Sequence, residues 1–260
     1  MTRRPNSLPW IYRWRTNLIQ MPLFVLVTVF CGSLSLFVSL FERSGRLQHR
    51  IACIWSRLCV FISGSSLLVE GAENLTKYPV SVFASNHTSY MDIPVLFSSI
   101  PVQFRIMAKQ ELWPIPFIGW YLNRSGQLPI DTRNSRATLS SLGKAAKTLR
   151  SNMSLFVFPE GGRTADGKLR PFLSGAAYLA IRAQVPLVPI ALIGVYDLLP
   201  IHTHHYYPCE LRMKVGEPIP TEGMTTHQLE ELTAVLRERI ARMLGELPED
   251  VFFSETKFSA

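Results

Sequence analysis

The chain has 260 residues, a length that suits one α/β domain with an appended segment, and 47% of the residues are hydrophobic, with a mean hydropathy of +0.15. This composition is unusual for a freely soluble enzyme and favours contact with a membrane. The net charge of +8 is concentrated in residues 1–60, where eight arginines face the single acid Glu42, so we expect an anionic lipid surface and no nucleic-acid partner.

The N-terminal part of the chain is the most apolar. No charged residue occurs from Thr16 to Phe41, and about 20 such residues suffice to cross the hydrocarbon core. We favour a retained helix over a cleaved signal peptide because the run is too long and no A-x-A site follows it. The next segment, Ile51–Val69, has the amphipathic spacing of a helix at the membrane interface. Arginines flank the first segment on both sides, so we favour a re-entrant or surface-lying hairpin over a span.

Strands and helices alternate beyond residue 70, which predicts an α/β domain over residues 71–260, preceded by apolar helices in residues 1–70. We expect a central mixed, largely parallel sheet flanked by helices. The predicted strands are Val80–Ala84, Phe104–Ala108, Gln127–Ile130, Ser154–Phe158, Leu187–Leu192 and Glu210–Val215. The predicted helices are Asp92–Ser99, a segment around Glu111–Tyr121, Ser135–Arg150, Gly175–Ala183 and Thr226–Leu244.

The strongest chemical signal follows the first predicted strand of this domain. His87 comes directly after that strand, a usual position for reactive groups in an open α/β sheet. Asp92 is close enough in sequence for a turn to bring its carboxylate onto the imidazole, where it would fix the tautomer and support a positive charge. Ser89-x-x-Asp92 is also a capping-box pattern, so the pair alone leaves a purely structural role open.

A second group of residues follows the predicted strand that ends at Phe158. Glu160, Gly161, Gly162 and Arg163 combine an acid, two glycines and a guanidinium, which can bring backbone amides and positive charge close to an anion. A plain glycine turn with a surface ion pair would give the same pattern.

Basic residues also follow two other predicted strands. Lys109 comes after one of them, and Arg133 and Arg136 come after the strand that ends at Ile130. Because parallel strands present their carboxyl ends at one edge of a sheet, these cations predict a common anion-binding mouth.

The remaining motifs argue against metal chemistry and against a covalent intermediate. His202, His204 and His205 lie close together, but no Cys or acid stands near them at ligand spacing, so we expect no metal. The four cysteines include no C-x-x-C pair, and neither a disulfide framework nor a zinc knuckle is indicated. No nucleophile motif accompanies His87, which favours direct base catalysis.

Four ordered blocks between about residues 75 and 220 resemble the glycerolipid acyltransferases, most closely the 1-acylglycerol-3-phosphate (lysophosphatidic acid) acyltransferases. The blocks are Asn86-His87-x-x-x-x-Asp92; Lys109-x-Glu111-Leu112 with Pro114, Gly119, Gly126 and Ile130-Asp131; Phe158-Pro159-Glu160-Gly161-x-Arg163; and Val188-Pro189-Ile190. The apolar N-terminal segments look like the membrane-docking helices of the bacterial-type enzymes.

This resemblance implies transfer of an acyl chain from acyl-CoA or acyl-carrier protein to the free hydroxyl of lysophosphatidic acid, with no bound cofactor. His87 would be the general base, oriented by Asp92, and Arg163, Arg133 and Lys109 would hold the acceptor phosphate. The membrane bilayer would be a further partner, with the protein at the cell membrane and its catalytic domain on the cytoplasmic face. The alternatives are another lysolipid or glycerol 3-phosphate as acceptor, or a non-catalytic membrane lipid-binding protein.

The chain departs from the family pattern at three places that concern the acceptor, one of which is the segment Pro171–Gly175, where the basic residue often found after the Phe is missing. Gly162 stands where the family usually has Thr, and Thr132 separates Asp131 from the basic residue, which leaves the choice between Arg133 and Arg136 open. Glu160 is expected to position Arg163 or a glycerol hydroxyl.

Overall fold

The computed structural model describes residues 10–42, 44–131 and 133–247, and its N-terminal part is a helical hairpin. Helix α1 (Trp10–Arg15) continues through a π-helical turn (Thr16–Gln20) into α2 (Met21–Val38). The helix over Arg13–Val38 is long and apolar enough to cross a membrane, and little of its surface is buried inside the protein. After a turn, α3 (Arg46–Ser63) returns antiparallel to the long helix, because Trp55 Nε1 donates to Thr28 Oγ1 at 3.0 Å and Gln20 Nε2 donates to the Ile62 carbonyl at 2.8 Å.

The described residues contain one seven-stranded sheet. Its strands are β1 (Ser66–Glu70), β2 (Val82–Ser85), β3 (Phe104–Lys109), β4 (Leu128–Ile130), β5 (Ser154–Val157), β6 (Leu187–Ile193) and β7 (Glu210–Val215), in the order β1-β7-β6-β2-β5-β3-β4. All neighbouring pairs are parallel except β6 and β7. The carboxyl ends of β2 to β6 therefore meet at one edge, with β2 and β5 side by side near the middle.

Helices cover both faces of the sheet. They are α4 (Asp92–Ser99), α5 (Ile118–Arg124), α6 (Ser135–Arg150), α7 (Gly175–Ala183), α8 (Val195–Leu198) and α9 (Leu229–Leu244). Alternate residues of β2 point to opposite layers: Val82 and Ala84 join the core under α6, α7 and α9, whereas Phe83 joins the core under α3, α4 and α8.

The mixed, largely parallel sheet expected from the sequence is confirmed, and α4, α6, α7 and β7 have the predicted bounds. Two predictions were wrong. The segment Ile51–Val69 is not one helix, because α3 ends at Gly64 in a left-handed conformation and Ser66–Glu70 pairs with β7. The helix around Glu111–Tyr121 begins only at Ile118, since two prolines in the preceding loop cannot continue a helix.

The division of the chain at residue 70 stays a prediction. The sheet includes β1, which lies before residue 71, and α3 contributes Ala52, Cys59 and Val60 to the same core as α4.

Candidate active site

The two main groups of predicted residues lie together at the carboxyl ends of two neighbouring strands in the middle of the sheet. His87 follows β2, and the segment from Glu160 to Arg163 follows the neighbouring β5. The backbone links the two segments directly, because the Thr164 amide donates to the His87 carbonyl at 2.9 Å and the His87 amide donates to Glu160 Oε1 at 2.8 Å.

His87 and Asp92 form the predicted contact. His87 Nδ1 lies 2.7 Å from Asp92 Oδ2, and the Asp92 carboxylate is fully buried while the imidazole keeps 15% of its side-chain surface exposed. Because Nδ1 is taken by the carboxylate, Nε2 is the ring nitrogen that can accept a proton from another molecule.

Asp92 also organises the turn that carries His87. Its Oδ2 accepts the amides of Thr88 at 2.7 Å and Ser89 at 2.9 Å, and the residue stands in the first turn of α4. The capping-type role and the orienting role that the sequence left as alternatives are therefore filled by one carboxylate. Since the carboxylate is fixed by two amides, the imidazole it contacts is fixed as well.

Asn86 holds the end of β2 in place, a role that the sequence did not assign to it. Its side chain accepts the Leu192 amide at Oδ1 (2.8 Å) and donates through Nδ2 to the Leu192 carbonyl (3.0 Å). This side-chain amide continues the β2–β6 pairing by imitating a peptide group, which lets the backbone turn away at His87.

The ring of Phe158 covers one face of the His87 imidazole. The two ring centroids are 3.8 Å apart and the planes are inclined by 16°, a stacked arrangement. Stacking fixes the plane of the imidazole and shields one face from water. Only the position of Phe158 at the end of a predicted strand points to this contact in the sequence.

Glu160 is buried beneath the two segments rather than paired with Arg163. Its Oε1 accepts the His87 amide, and its Oε2 accepts the Arg170 amide at 3.0 Å. Burial raises the pKa of Glu160 to about 7, against the lowering effect of these two hydrogen bonds. Among the described contacts Glu160 makes none with Arg163, and direct binding of substrate by Glu160 stays a prediction.

The two glycines of this segment differ in what their positions require. Gly161 has φ +70°, and a Cβ there would lie 2.9 Å from Leu173 Cδ1, so the turn favours glycine. A Cβ at Gly162 would meet only Arg170 Nη1, at 3.8 Å, so a side chain would fit. Within the described structure, the amides of Gly162 and Arg163 donate to no protein acceptor.

Arg163 is held over an aromatic ring at the mouth of the site. Its guanidinium carbon lies 3.7 Å from the centroid of the Tyr90 ring, a cation–π geometry, and Tyr90 belongs to the turn between His87 and Asp92. The guanidinium is therefore tied to the turn that carries the imidazole.

Lys109 and Arg133 lie farther along the same edge of the sheet. Lys109 ends β3, two strand positions from β2, and Arg133 follows β4, three positions from β2, or roughly 10 and 14 Å at the usual strand spacing. Arg133 forms an ion pair with Asp131 and donates from Nε to Oδ1 at 2.9 Å. These hydrogen bonds lower the pKa of Asp131 to about 2.

Within residues 10–42, 44–131 and 133–247 no cluster of three or more His, Cys, Asp or Glu side chains is arranged to hold a metal ion. Among the described residues, the site combines a fixed imidazole, two backbone amides without a protein acceptor and a guanidinium held over an aromatic ring. Such a set can take a proton from a hydroxyl, stabilise an oxyanion and bind a phosphate.

Known proteins with the same sequence features share a family. The family model described as Acyltransferase matches residues 66–193. These residues run from β1 to the end of β6 and include the His87–Asp92 turn. Residues 66–193 therefore form an acyltransferase-family domain. The resemblance found in the sequence is thereby confirmed.

Within this family the chain is similar to proteins from plants, fungi and bacteria. It is 34% identical over 166 residues to the chloroplastic 1-acyl-sn-glycerol-3-phosphate acyltransferase BAT2 of Brassica napus, covering 63% of this chain and 48% of that protein. It is 29% identical over 233 residues to the 1-acyl-sn-glycerol-3-phosphate acyltransferase of Saccharomyces cerevisiae, covering 86% and 76%. The match spans about half the length of the chloroplast protein.

A solved structure shares the whole fold of this acyltransferase. The crystal structure of the 1-acyl-sn-glycerophosphate (LPA) acyltransferase PlsC from Thermotoga maritima superposes with a TM-score of 0.76 at 27% identity. The match covers 94% of this chain and 100% of that one, so it includes the N-terminal hairpin as well as the sheet.

Proposed function

We propose that this acyltransferase moves an acyl chain from a thioester donor, acyl-CoA or acyl-carrier protein, to the free hydroxyl of 1-acylglycerol 3-phosphate, giving phosphatidic acid. The observation that carries the proposal is the 2.7 Å contact between His87 Nδ1 and the buried Asp92 carboxylate, beside a placed guanidinium. The names of the relatives from Brassica, yeast and Thermotoga support the choice of acceptor.

In the proposed reaction, His87 Nε2 takes the proton of the acceptor hydroxyl as its oxygen attacks the thioester carbonyl carbon. Asp92 supports the imidazolium that forms. The tetrahedral intermediate then collapses, the carbon–sulfur bond breaks, and the imidazolium returns the proton to the leaving thiolate. Each proton taken is given back, so no metal or bound cofactor is needed.

The unpaired amides of Gly162 and Arg163 are the donors that we assign to the oxyanion. The amides of His87, Thr88 and Ser89 are already engaged by Glu160 and Asp92 and cannot serve this purpose. The glycine turn that follows β5 is therefore the part of the site best suited to stabilise negative charge on the carbonyl oxygen.

Arg163 is the residue that we assign first to the acceptor phosphate, because it lies over Tyr90, next to the base. Lys109 is exposed at the end of β3 and could approach the same phosphate from two strands away. Arg133 already shares its guanidinium with Asp131 at the sheet margin, and its contribution is expected to be smaller.

The N-terminal hairpin is proposed to lie in the cytoplasmic leaflet, and not to cross the membrane. Contacts with the rest of the protein occur at both ends of the long helix and its turn: the Tyr206 amide donates to Thr16 Oγ1 at 3.3 Å, and Arg105 Nη2 donates to the Ser44 carbonyl at 2.7 Å. A helix whose two ends are both attached to one domain cannot place those ends on opposite sides of a bilayer. Its exposed face would instead bury apolar side chains among the lipids.

Product analysis of the purified full-length protein tests the proposal. The protein is incubated with a long-chain acyl-CoA or acyl-carrier protein and, in separate reactions, with lysophosphatidic acid, other lysolipids and glycerol 3-phosphate. Phosphatidic acid formed only with lysophosphatidic acid is the expected result. Preference for another acceptor would contradict the substrate assignment, and absence of thiol release with every acceptor and either donor would contradict catalysis itself.

A further inference from the structure

A second exposed apolar surface lies on the α/β domain, between β3 and α5. No charged residue occurs from Leu112 to Asn123. Within the segment Trp113–Trp120, here called the apolar loop, the most exposed large side chains are Ile115 (41%), Phe117 (53%), Ile118 (46%) and Trp120 (56%). A contiguous group of exposed apolar side chains marks an interaction site.

The apolar loop is built rigidly, and it presents Phe117 in a conformation that bulky residues rarely adopt. Phe117 has φ +64° and ψ −55°, and the Ile118 amide donates to the Pro116 carbonyl at 2.7 Å, which makes Phe117 the centre of a γ-turn. A Cβ on Gly119 would lie 1.8 Å from the Trp113 carbonyl oxygen, so the loop is closed tightly. A strained backbone that holds an aromatic ring in solvent is a feature associated with function.

The apolar loop adjoins the hairpin. Helix α2 contacts α5, and the turn after α2 is bound to the same part of the domain, because Arg105 donates to the Ser44 carbonyl and Gly45 packs close to the Ser125 carbonyl at the end of α5. Near this junction the end of the long helix exposes Phe37 (60%), and the turn after it exposes Phe41 (77%). The apolar surfaces of the hairpin and of the loop are therefore neighbours.

We propose that the apolar loop is a second bilayer contact, which inserts Phe117 and Trp120 into the lipid interface beside the hairpin. Aromatic rings favour this depth of the membrane, and a preorganised loop loses little conformational freedom on insertion. Exposed Arg124 and Lys109 flank the loop and would face anionic headgroups.

This inference rests on the proposed function, because its consequence concerns how a lysolipid reaches His87. The loop begins where β3 ends, two strand positions from His87, so its insertion would press the catalytic edge of the sheet against the bilayer. A lysolipid could then reach the base without leaving the membrane surface.

The first test uses Trp120 as a reporter in the full-length protein. Vesicles of phosphatidylcholine and phosphatidylglycerol brominated in the acyl chains quench tryptophans that enter the bilayer. We expect wild type to show a quenched component that Trp120→Phe lacks, whereas the exposed Leu139→Ser on α6 keeps it. Equal quenching of wild type and Trp120→Phe would overturn the bilayer contact.

The second test compares vesicle binding of Phe117→Ser and Leu139→Ser, because Leu139 is equally exposed (55%) on the opposite layer. Loss of a buried aromatic contact should weaken sedimentation with vesicles about tenfold for Phe117→Ser only. Transfer to lysolipid dispersed in detergent micelles should stay at the wild-type level for both variants. Unchanged vesicle binding of Phe117→Ser would contradict the inference. Quenching of Trp120 in a protein that makes no phosphatidic acid would support the bilayer contact and overturn the proposed function alone.

Discussion

Glu160 joins two segments of the active site through their backbones. Its two carboxylate oxygens accept the His87 and Arg170 amides, and the residue is 4% exposed. Its pKa is raised to about 7, so the neutral acid is the form that the fold prefers. Protonated Glu160 therefore contributes its full share to the free energy of unfolding below about pH 4.5, the ordinary pKa of a Glu side chain. This contribution is lost as the pH rises through about 7.

Glu160→Gln should remove this pH dependence, because an amide does not titrate. Relative to that of Glu160→Gln, the free energy of unfolding of the wild type should fall by up to roughly 3 kcal/mol as the pH rises from 5 to 7.5. Above pH 7.5 the difference between the two proteins should stay constant. Thermal unfolding at several pH values measures it, with Glu222→Gln at an exposed site as control. A difference that does not change between pH 5 and pH 8 would refute the buried, neutral carboxyl.

At this scale the sequence predicted the contact between His87 and Asp92, to which we assign the chemistry, but not the residues that hold the pair in place. His87 and Asp92 are five positions apart, so a local pattern reveals their contact. Asn86 contacts Leu192 and His87 stacks on Phe158 across long stretches of chain, and such pairs depend on strand order. Strand order is a property of the folded sheet that no single segment encodes.

The order of the strands ranks the basic residues around the site. Arg163 follows β5, the neighbour of β2, whereas Arg133 follows β4 at the margin and is engaged by Asp131. The sequence predicts that all strand ends meet at one edge, but it does not say which strands are neighbours. The two arginines can therefore be ranked by their distance from His87 only when the strand order is known.

Arg163→Ala should lower kcat/KM for lysophosphatidic acid by roughly 10- to 100-fold, because a charge-assisted contact with the phosphate is lost and the hydroxyl no longer meets His87. Arg133→Ala, the matched variant, should change kcat/KM by less than about threefold. Steady-state kinetics with the donor saturating gives both values. A larger loss for Arg133→Ala would contradict the ranking, and a change confined to the donor KM would assign Arg163 to the donor instead.

The helices with a clear apolar stripe and a clear end were predictable, as was the apolar N-terminal helix, whereas strand β1 was not. Helices α6 and α7 have the predicted bounds because their buried faces repeat at helical spacing. The sequence pattern predicts a helix over β1, because its few apolar residues continue the apolar run of α3 and its partner β7 lies about 140 residues later.

For the molecule as a whole, we expect the hairpin to set the orientation of the α/β domain on the membrane. Single cysteines at Asn17 and Leu40, near the two ends of the long helix, should both be shielded from an impermeant maleimide in right-side-out vesicles and should both react after permeabilisation. Glu222→Cys on the α/β domain is the control, and Cys31, Cys53, Cys59 and Cys209 are replaced beforehand. Labelling of only one of the two helix-end cysteines in intact vesicles would show a spanning helix and contradict the surface-lying hairpin.

If His87 is the base for acyl transfer to lysophosphatidic acid, the turnover of purified His87→Ala with saturating acyl donor should show it. We expect a loss of about 10²- to 10⁴-fold, with thermal unfolding and vesicle binding as in wild type, while His227→Ala at an exposed site keeps full activity. Turnover of His87→Ala close to that of the wild type would exclude His87 as the base.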